Sequence, residues 1–113
     1  MRENWVWQFP AYNQFRTEDV GDQIGKIETE LHEAKDAHIE FISDPNQDNK
    51  DALIMELMDV VHAVETALRT IDYKASANLN IMKTKVIKKN KDRGYYDPTE
   101  FDAFFDYDEE RFG

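Results

Sequence analysis

Two short runs carry acids in the same pattern. Residues 30–33 read Glu-Leu-His-Glu and residues 56–59 read Glu-Leu-Met-Asp, so both fit E-L-x-[ED]. On a helix, acids three positions apart project about 60° from one another, on one face. Each pair lies on the same flank of an apolar stripe, and small residues share that flank: Ala34 and Ala37 beside the first pair, Ala63 and Ala67 beside the second. Small side chains let two helices approach closely. If the two helices pack antiparallel along that flank, Glu30, Glu33, Glu56 and Asp59 converge. Unpaired carboxylates repel one another in a partly buried place, so a cation must hold them. Hard oxygen ligands of this kind suit Mg²⁺, with Mn²⁺ as a substitute, and leave room for phosphate oxygens. The plainer reading is that acids abound here, 24 in all, and that these four are merely solvated. The matched phase of the two pairs favours the metal site.

A basic run lies downstream. Residues 81–93 hold Lys83, Lys85, Lys88, Lys89, Lys91 and Arg93 against a single acid, Asp92. At 100° per residue, Met82, Val86, Lys89 and Arg93 fall on one stripe with Asn90 beside it, while Lys83, Lys85, Lys88 and Lys91 lie on the flanks and back. A stripe that is packed at Met82 and Val86 would carry Lys89 and Arg93 to the rim of the interior, as phosphate-binding cations. Each also has a simpler role open to it: Lys89 snorkelling from the helix end, Arg93 complementing the helix dipole.

The elements that must position these groups are three helices. The first is expected from about Thr17 to Ser43, capped by Thr17, with Val20, Ile24, Ile27, Leu31, His38 and Ile42 as its buried stripe; Gly21 and Gly25 weaken its start. The DPNQDN segment, 44–49, reads as a loop. The second helix is expected from about Lys50 to Ile71, burying Leu53, Leu57, Val60, Val61, Val64 and Leu68. The third is expected from Ser76 to Asp92, ended by Arg93-Gly94. The fold class is therefore all-α, an antiparallel helical bundle over residues 1–96, followed by a tail, 97–113, with seven acids and five aromatics. That tail is either a short docked helix or a disordered strip. This many apolar positions in a short chain leave surface for a partner copy, so a homo-oligomer, most simply a homodimer, is expected.

Composition narrows the function. The net charge is −10, which argues against a nucleic-acid or membrane surface, since phosphate contacts need Lys and Arg. There is no cysteine, hence no disulfide framework or thiolate metal site. No apolar run approaches the ~18 residues of a membrane span, and MRENWVWQFP lacks the basic start and apolar core of a signal peptide. A cytoplasmic protein is the expectation.

The order E-x-x-E, loop, E-x-x-D, then a helix with Lys, Asn and Arg resembles the MazG-like all-α nucleoside triphosphate pyrophosphohydrolases. Here the motifs are Glu30 and Glu33, Glu56 and Asp59, and KKNKDRGYY at 88–96. The last resembles small phage-borne or bacterial members most. The resemblance covers about residues 20–96 and implies cleavage of a nucleoside or deoxynucleoside triphosphate between its α- and β-phosphates, in nucleotide pool control or house-cleaning. It implies Mg²⁺ held by Glu30, Glu33, Glu56 and Asp59, one of which activates water, and substrate contacts from Lys89, Asn90, Arg93 and Tyr96. Two features depart from it. Met55 stands where many members carry a second acid beside Glu56, and the tail is outside the family core.

Other groups read less sharply. Trp5, Trp7, Phe9 and Tyr12 crowd the N-terminus, where packing over the bundle end or a partner outweighs stacking on a base. Tyr95 and Tyr96 either close over a nucleotide or cap the helix. His32, His38 and His62 have no paired ligand spacing, and His38 falls on the apolar stripe. The alternative of a different class is a non-enzymatic acidic helical interaction protein, such as a small inhibitor or DNA mimic. Lys89 and Arg93 turned inward would serve no purpose in a mimic.

Overall fold

The structure, a computed structural model, describes residues 6–12, 19–72 and 76–104. Every regular element among them is helical: α1 (Val20–Ser43), α2 (Gln47–Asp72), α3 (Ser76–Asp92) and a further stretch at residues 98–104. Among the described residues, no helix is long and apolar enough to cross a membrane.

Asp19, rather than Thr17, caps α1. Its extended backbone lets its carboxylate accept the Asp22 N–H at 2.8 Å, and the Asp22 carboxylate accepts the Asp19 N–H at 3.3 Å. This reciprocal box satisfies two N–H groups that the helix cannot. Thr17 lies outside the described residues. Gly21 and Gly25 do not break the helix, which runs unbroken to Ser43. The turn is shorter than the 44–49 loop expected from sequence. Asn46 accepts the Asn49 N–H at 2.8 Å, which caps α2 and starts it at Gln47. The Asn49 amide then donates to the carbonyls of Asp44 at 2.8 Å and Glu40 at 3.4 Å, locking the turn.

With so short a turn, α1 and α2 pack against each other as a helical hairpin. Asn49 reaches Glu40, and Glu56 lies beside Glu33, so equal steps away from the turn meet across the pair. The helices are antiparallel, as the acid pairs require.

The face they share differs from the stripes read in the sequence. On α1 the covered residues are Gln23, Glu30 and Ala34; on α2 they include Ala63, Thr66 and Ala67. Ala63 and Thr66 are 0 % exposed, whereas Leu57 is 47 % and Ile42 65 % exposed. Ile24, Leu31, Val61 and Val64 are exposed as well, and so is His38. The cause is steric. The alanine flank admits the neighbouring backbone, and only one face of each helix can meet the other, so the bulky stripe stays open in a single chain. The expected core placement of Leu57, Val61, Val64, Ile24, Leu31, Ile42 and His38 is corrected accordingly.

The residues divide into two compact units, Trp7–Lys74 and the chain from Ala75 onward with its N-terminal end. In the second, α3 ends as expected. Gly94 has φ +75°, a conformation that penalises any Cβ. There the Tyr95 N–H reaches the Asn90 carbonyl and the Gly94 N–H the Lys91 carbonyl, both at 2.9 Å, the paired bonds of a Schellman stop. Asp97 starts the next helical stretch, accepting N–H bonds from Thr99 at 2.9 Å and Glu100 at 3.1 Å, with Pro98 suited to the first turn. The first part of the aromatic tail is thus helical, and its remainder, 105–113, lies outside the described residues. Phe101 and Phe104 meet the ammonium groups of Lys91 at 4.7 Å and Lys83 at 6.0 Å. Leu79 is buried, while Met82 and Val86, expected in the core, are exposed.

Candidate functional site

The antiparallel hairpin brings three of the four predicted acids together. One carboxylate oxygen from each of Glu30, Glu33 and Glu56 lies within 4.8 Å of the other two. Glu30 and Glu33 come from consecutive turns of α1 and Glu56 from the facing turn of α2. Glu30 is 8 % exposed, Glu56 is half-buried and Glu33 faces solvent. Asp59, one turn further along α2, is exposed and outside that group. Its charge acts on the Tyr12 phenol.

The electrostatics are those of an under-compensated anion cluster. The carboxyl of Glu33 is pushed above its ordinary value, first by the charge of Glu30, then by desolvation, by hydrogen bonding with Glu30, and by the charge and contact of Glu56. Two carboxylates in contact are favourable only with a proton or cation between them. The built-in positive charge is modest: Lys26 Nζ stands 3.4 Å from Glu30 Oε1, and Lys26 is half-exposed. Glu56 Oε2 is buried and has no hydrogen-bond donor among the described residues. An acceptor-only oxygen removed from water without a donor is costly. Three hard oxygen donors with one orphaned oxygen fit Mg²⁺ or Mn²⁺ and do not fit a soft metal.

The predicted substrate-binding residues belong to α3 and the residues after it. Lys89 and Arg93 are exposed, Asn90 and Tyr96 half-buried. Several neighbours of Lys89 are engaged: Lys88 bonds Asp92 at 2.8 Å, Lys91 lies over Phe101, and Arg93 lies 5.9 Å from the Tyr95 ring centroid. Lys89 has no ion pair or ring contact among the described residues. Tyr96 packs against Phe101, centroids 5.5 Å apart, as a cap over the helix end.

One group of residues escaped the sequence reading. Glu65, Thr66 and Arg69, in the second half of α2, are buried, and with His62 they hold residues 7–12. Both Glu65 oxygens accept the Gln8 N–H, at 3.1 and 2.9 Å, and Oε1 also accepts the Phe9 N–H at 2.9 Å. Arg69 Nη2 donates to the Phe9 carbonyl at 2.6 Å, and the guanidinium lies 4.2 Å from the Trp7 ring centroid. His62 Nε2 meets the Pro10 carbonyl at 3.0 Å, and its ring stacks on Phe9 at 4.7 Å and Tyr12 at 4.0 Å. The available signal was an acid and an arginine four apart within an apolar run, opposite an aromatic N-terminus. The expected packing role holds for Trp7, Phe9 and Tyr12; Trp5 lies outside the described residues. His32 is exposed beside Asp36. No protein-family model, characterised protein or solved structure matches the chain.

Proposed function

We propose that this chain is a Mg²⁺-dependent nucleoside triphosphate pyrophosphohydrolase of the MazG-like kind, acting as a homodimer built on an antiparallel bundle. The observation that carries the reading is the convergence of one carboxylate oxygen each from Glu30, Glu33 and Glu56 within 4.8 Å, together with a buried Glu56 Oε2 that has no hydrogen-bond partner among the described residues. Glu30, Glu33 and Glu56 would hold the ion, with Asp59 completing the set the resemblance implies. Bound there, Mg²⁺ supplies charge neutralisation and orientation for the triphosphate.

The chain's own groups account for the rest. A water oxygen bonds to phosphorus of the α–β anhydride as the bridging P–O bond breaks, giving monophosphate and pyrophosphate. One carboxylate of the cluster accepts the water proton. Substrate binding is assigned to Lys89, Asn90, Arg93 and Tyr96 on the resemblance, with Lys89 and Arg93 as the phosphate-binding cations, and the ammonium of Lys89, without an ion pair or ring contact among the described residues, supports it. The open apolar residues of α1 and α2 support the homodimer.

The test is a panel of canonical and modified (d)NTPs with Mg²⁺, with pyrophosphate and orthophosphate assayed separately. Pyrophosphate release that Glu56→Gln reduces at least 100-fold is the expected result. Orthophosphate release, or no hydrolysis of any member, contradicts it.

A further inference from the structure

Glu65 and Arg69 are charged, buried and outside the acidic motifs. Burying such groups is costly unless specific partners satisfy them. Their hydrogen-bond partners are main-chain atoms of residues 8 and 9, so they grip the strap by its backbone, and the guanidinium, whose Nη1 is buried without a hydrogen-bond partner among the described residues, also lies over the Trp7 ring. One turn earlier, His62 fixes the Pro10 carbonyl and lies stacked against both Phe9 and Tyr12. The three anchors, spaced three and four apart, make a ladder along one face of α2. The last described residue of the strap is Tyr12, whose phenol is pushed up by burial, drawn down by Lys26 and pushed up by Glu30 and Asp59. The Tyr12 ring also lies 5.7 Å from Lys26 Nζ, the ammonium that contacts Glu30. The ladder therefore delivers an aromatic residue to the edge of the carboxylate cluster.

We propose that residues 7–12 form a latched strap of the acidic site, with Glu65 as the positioning residue that holds it down and Tyr12 as the wall it sets beside the Lys26–Glu30 pair. The inference rests on the pyrophosphohydrolase reading for its catalytic consequence and on the contacts above for the latch itself. A docked strap narrows the mouth of the cluster and fixes the approach of a triphosphate. A released strap leaves the metal ligands in place but the substrate poorly oriented, and misplacement of that kind costs roughly 10- to 100-fold.

The experiment uses the full chain as wild type, Glu65→Ala, Tyr12→Ala, the double variant and Tyr12→Phe. Hydrogen–deuterium exchange follows the Gln8 and Phe9 amides, Mn²⁺ titration follows the cluster, and kcat and KM are measured on the best (d)NTP of the panel. In Glu65→Ala the two amides should lose protection while α1 and the first half of α2 keep theirs, Mn²⁺ affinity should change less than threefold, and kcat/KM should fall roughly 10- to 100-fold. Tyr12→Ala should match it, and the double variant should be no worse than either, because the two residues act as one unit. Tyr12→Phe, which keeps the ring on His62, should stay within threefold of wild type. Released amides with unchanged kcat/KM, or multiplicative losses in the double variant, would overturn the strap's role and leave the hydrolase reading intact. Amides that stay protected in Glu65→Ala would overturn the latch. A wild type that binds Mn²⁺ and hydrolyses nothing would instead overturn the hydrolase reading, and the positioning role with it. If Glu65→Ala fails to fold, Glu65→Met, which keeps the length of the side chain and has no acceptor oxygen, carries the same comparisons.

Discussion

Glu33 concentrates the conflict at the site. Its side chain is exposed, yet its carboxyl is raised by Glu30 first, then by desolvation and Glu56. A folded-state value above the unfolded one means the native protein binds more protons, so stability falls as pH climbs from the unfolded carboxylate range through the raised value. Without metal, Glu33→Gln should therefore unfold at a higher temperature than wild type at neutral pH, and the gap should close in acid. Added Mg²⁺ should raise the wild-type midpoint and leave the variant's much less changed. Thermal unfolding with and without Mg²⁺ at several pH values checks both. A variant less stable than wild type at neutral pH without metal would mean that Glu33 is held by an attractive partner. The spacing of Glu30, Glu33 and Glu56 was legible in the sequence because i, i+3 fixes a helix face. The orphaned Glu56 oxygen was not, since it depends on which neighbours exclude water.

At the scale of elements, periodicity located the helices, and local chemistry set their ends. α3 runs from Ser76 to Asp92 as expected, because Gly94 is the one residue there that takes φ +75° without strain. The start of α1 moved from Thr17 to Asp19 because the reciprocal bond needs an acid at Asp22. The phase of the apolar stripe misled, since alanine flanks and not the large residues joined α1 to α2. The long-range hold of Glu65 on Gln8 and Phe9 spans more than fifty residues, so a local pattern shows the Glu65 and Arg69 pair and not what it holds. For α3, helical phase makes a prediction of its own. Losing a phosphate-binding cation costs about 2–4 kcal/mol of transition-state stabilisation. Lys89→Ala and Arg93→Ala should accordingly lower kcat/KM roughly 30- to 1,000-fold with little change in Tm. Lys85→Ala, off the stripe, should shift the rate by about 0.5 kcal/mol or less. Equal losses for Lys85 and Lys89 would remove the claim that the 89/93 face binds phosphate.

The whole molecule is acidic, with a net charge of −10, and exposes a contiguous stripe. Ile54, Leu57, Met58, Val61 and Val64 on α2 are all open to solvent in one chain, and steps of three and four put them on one helix face. Exposed apolar area of that kind marks an interaction surface, and three of these five residues, Leu57, Val61 and Val64, are ones the sequence reading had assigned to the core. A second copy would reconcile the two. Sedimentation at tens of micromolar should give a dimer, and Leu57→Glu with Val61→Glu should give a monomer that keeps its helical circular dichroism. A wild-type monomer would contradict the oligomeric part of the account.

The central claim is that the hairpin cluster is a divalent-cation site. Electron paramagnetic resonance of Mn²⁺ titrated with the full chain tests it most directly, because the free-ion signal is lost on binding. Wild type should bind Mn²⁺ in a way that Mg²⁺ competes for, and Glu30→Gln and Glu56→Gln should weaken that binding about 10- to 100-fold. Free Mn²⁺ at millimolar wild-type protein, or variants that bind Mn²⁺ as tightly as wild type, would contradict the account.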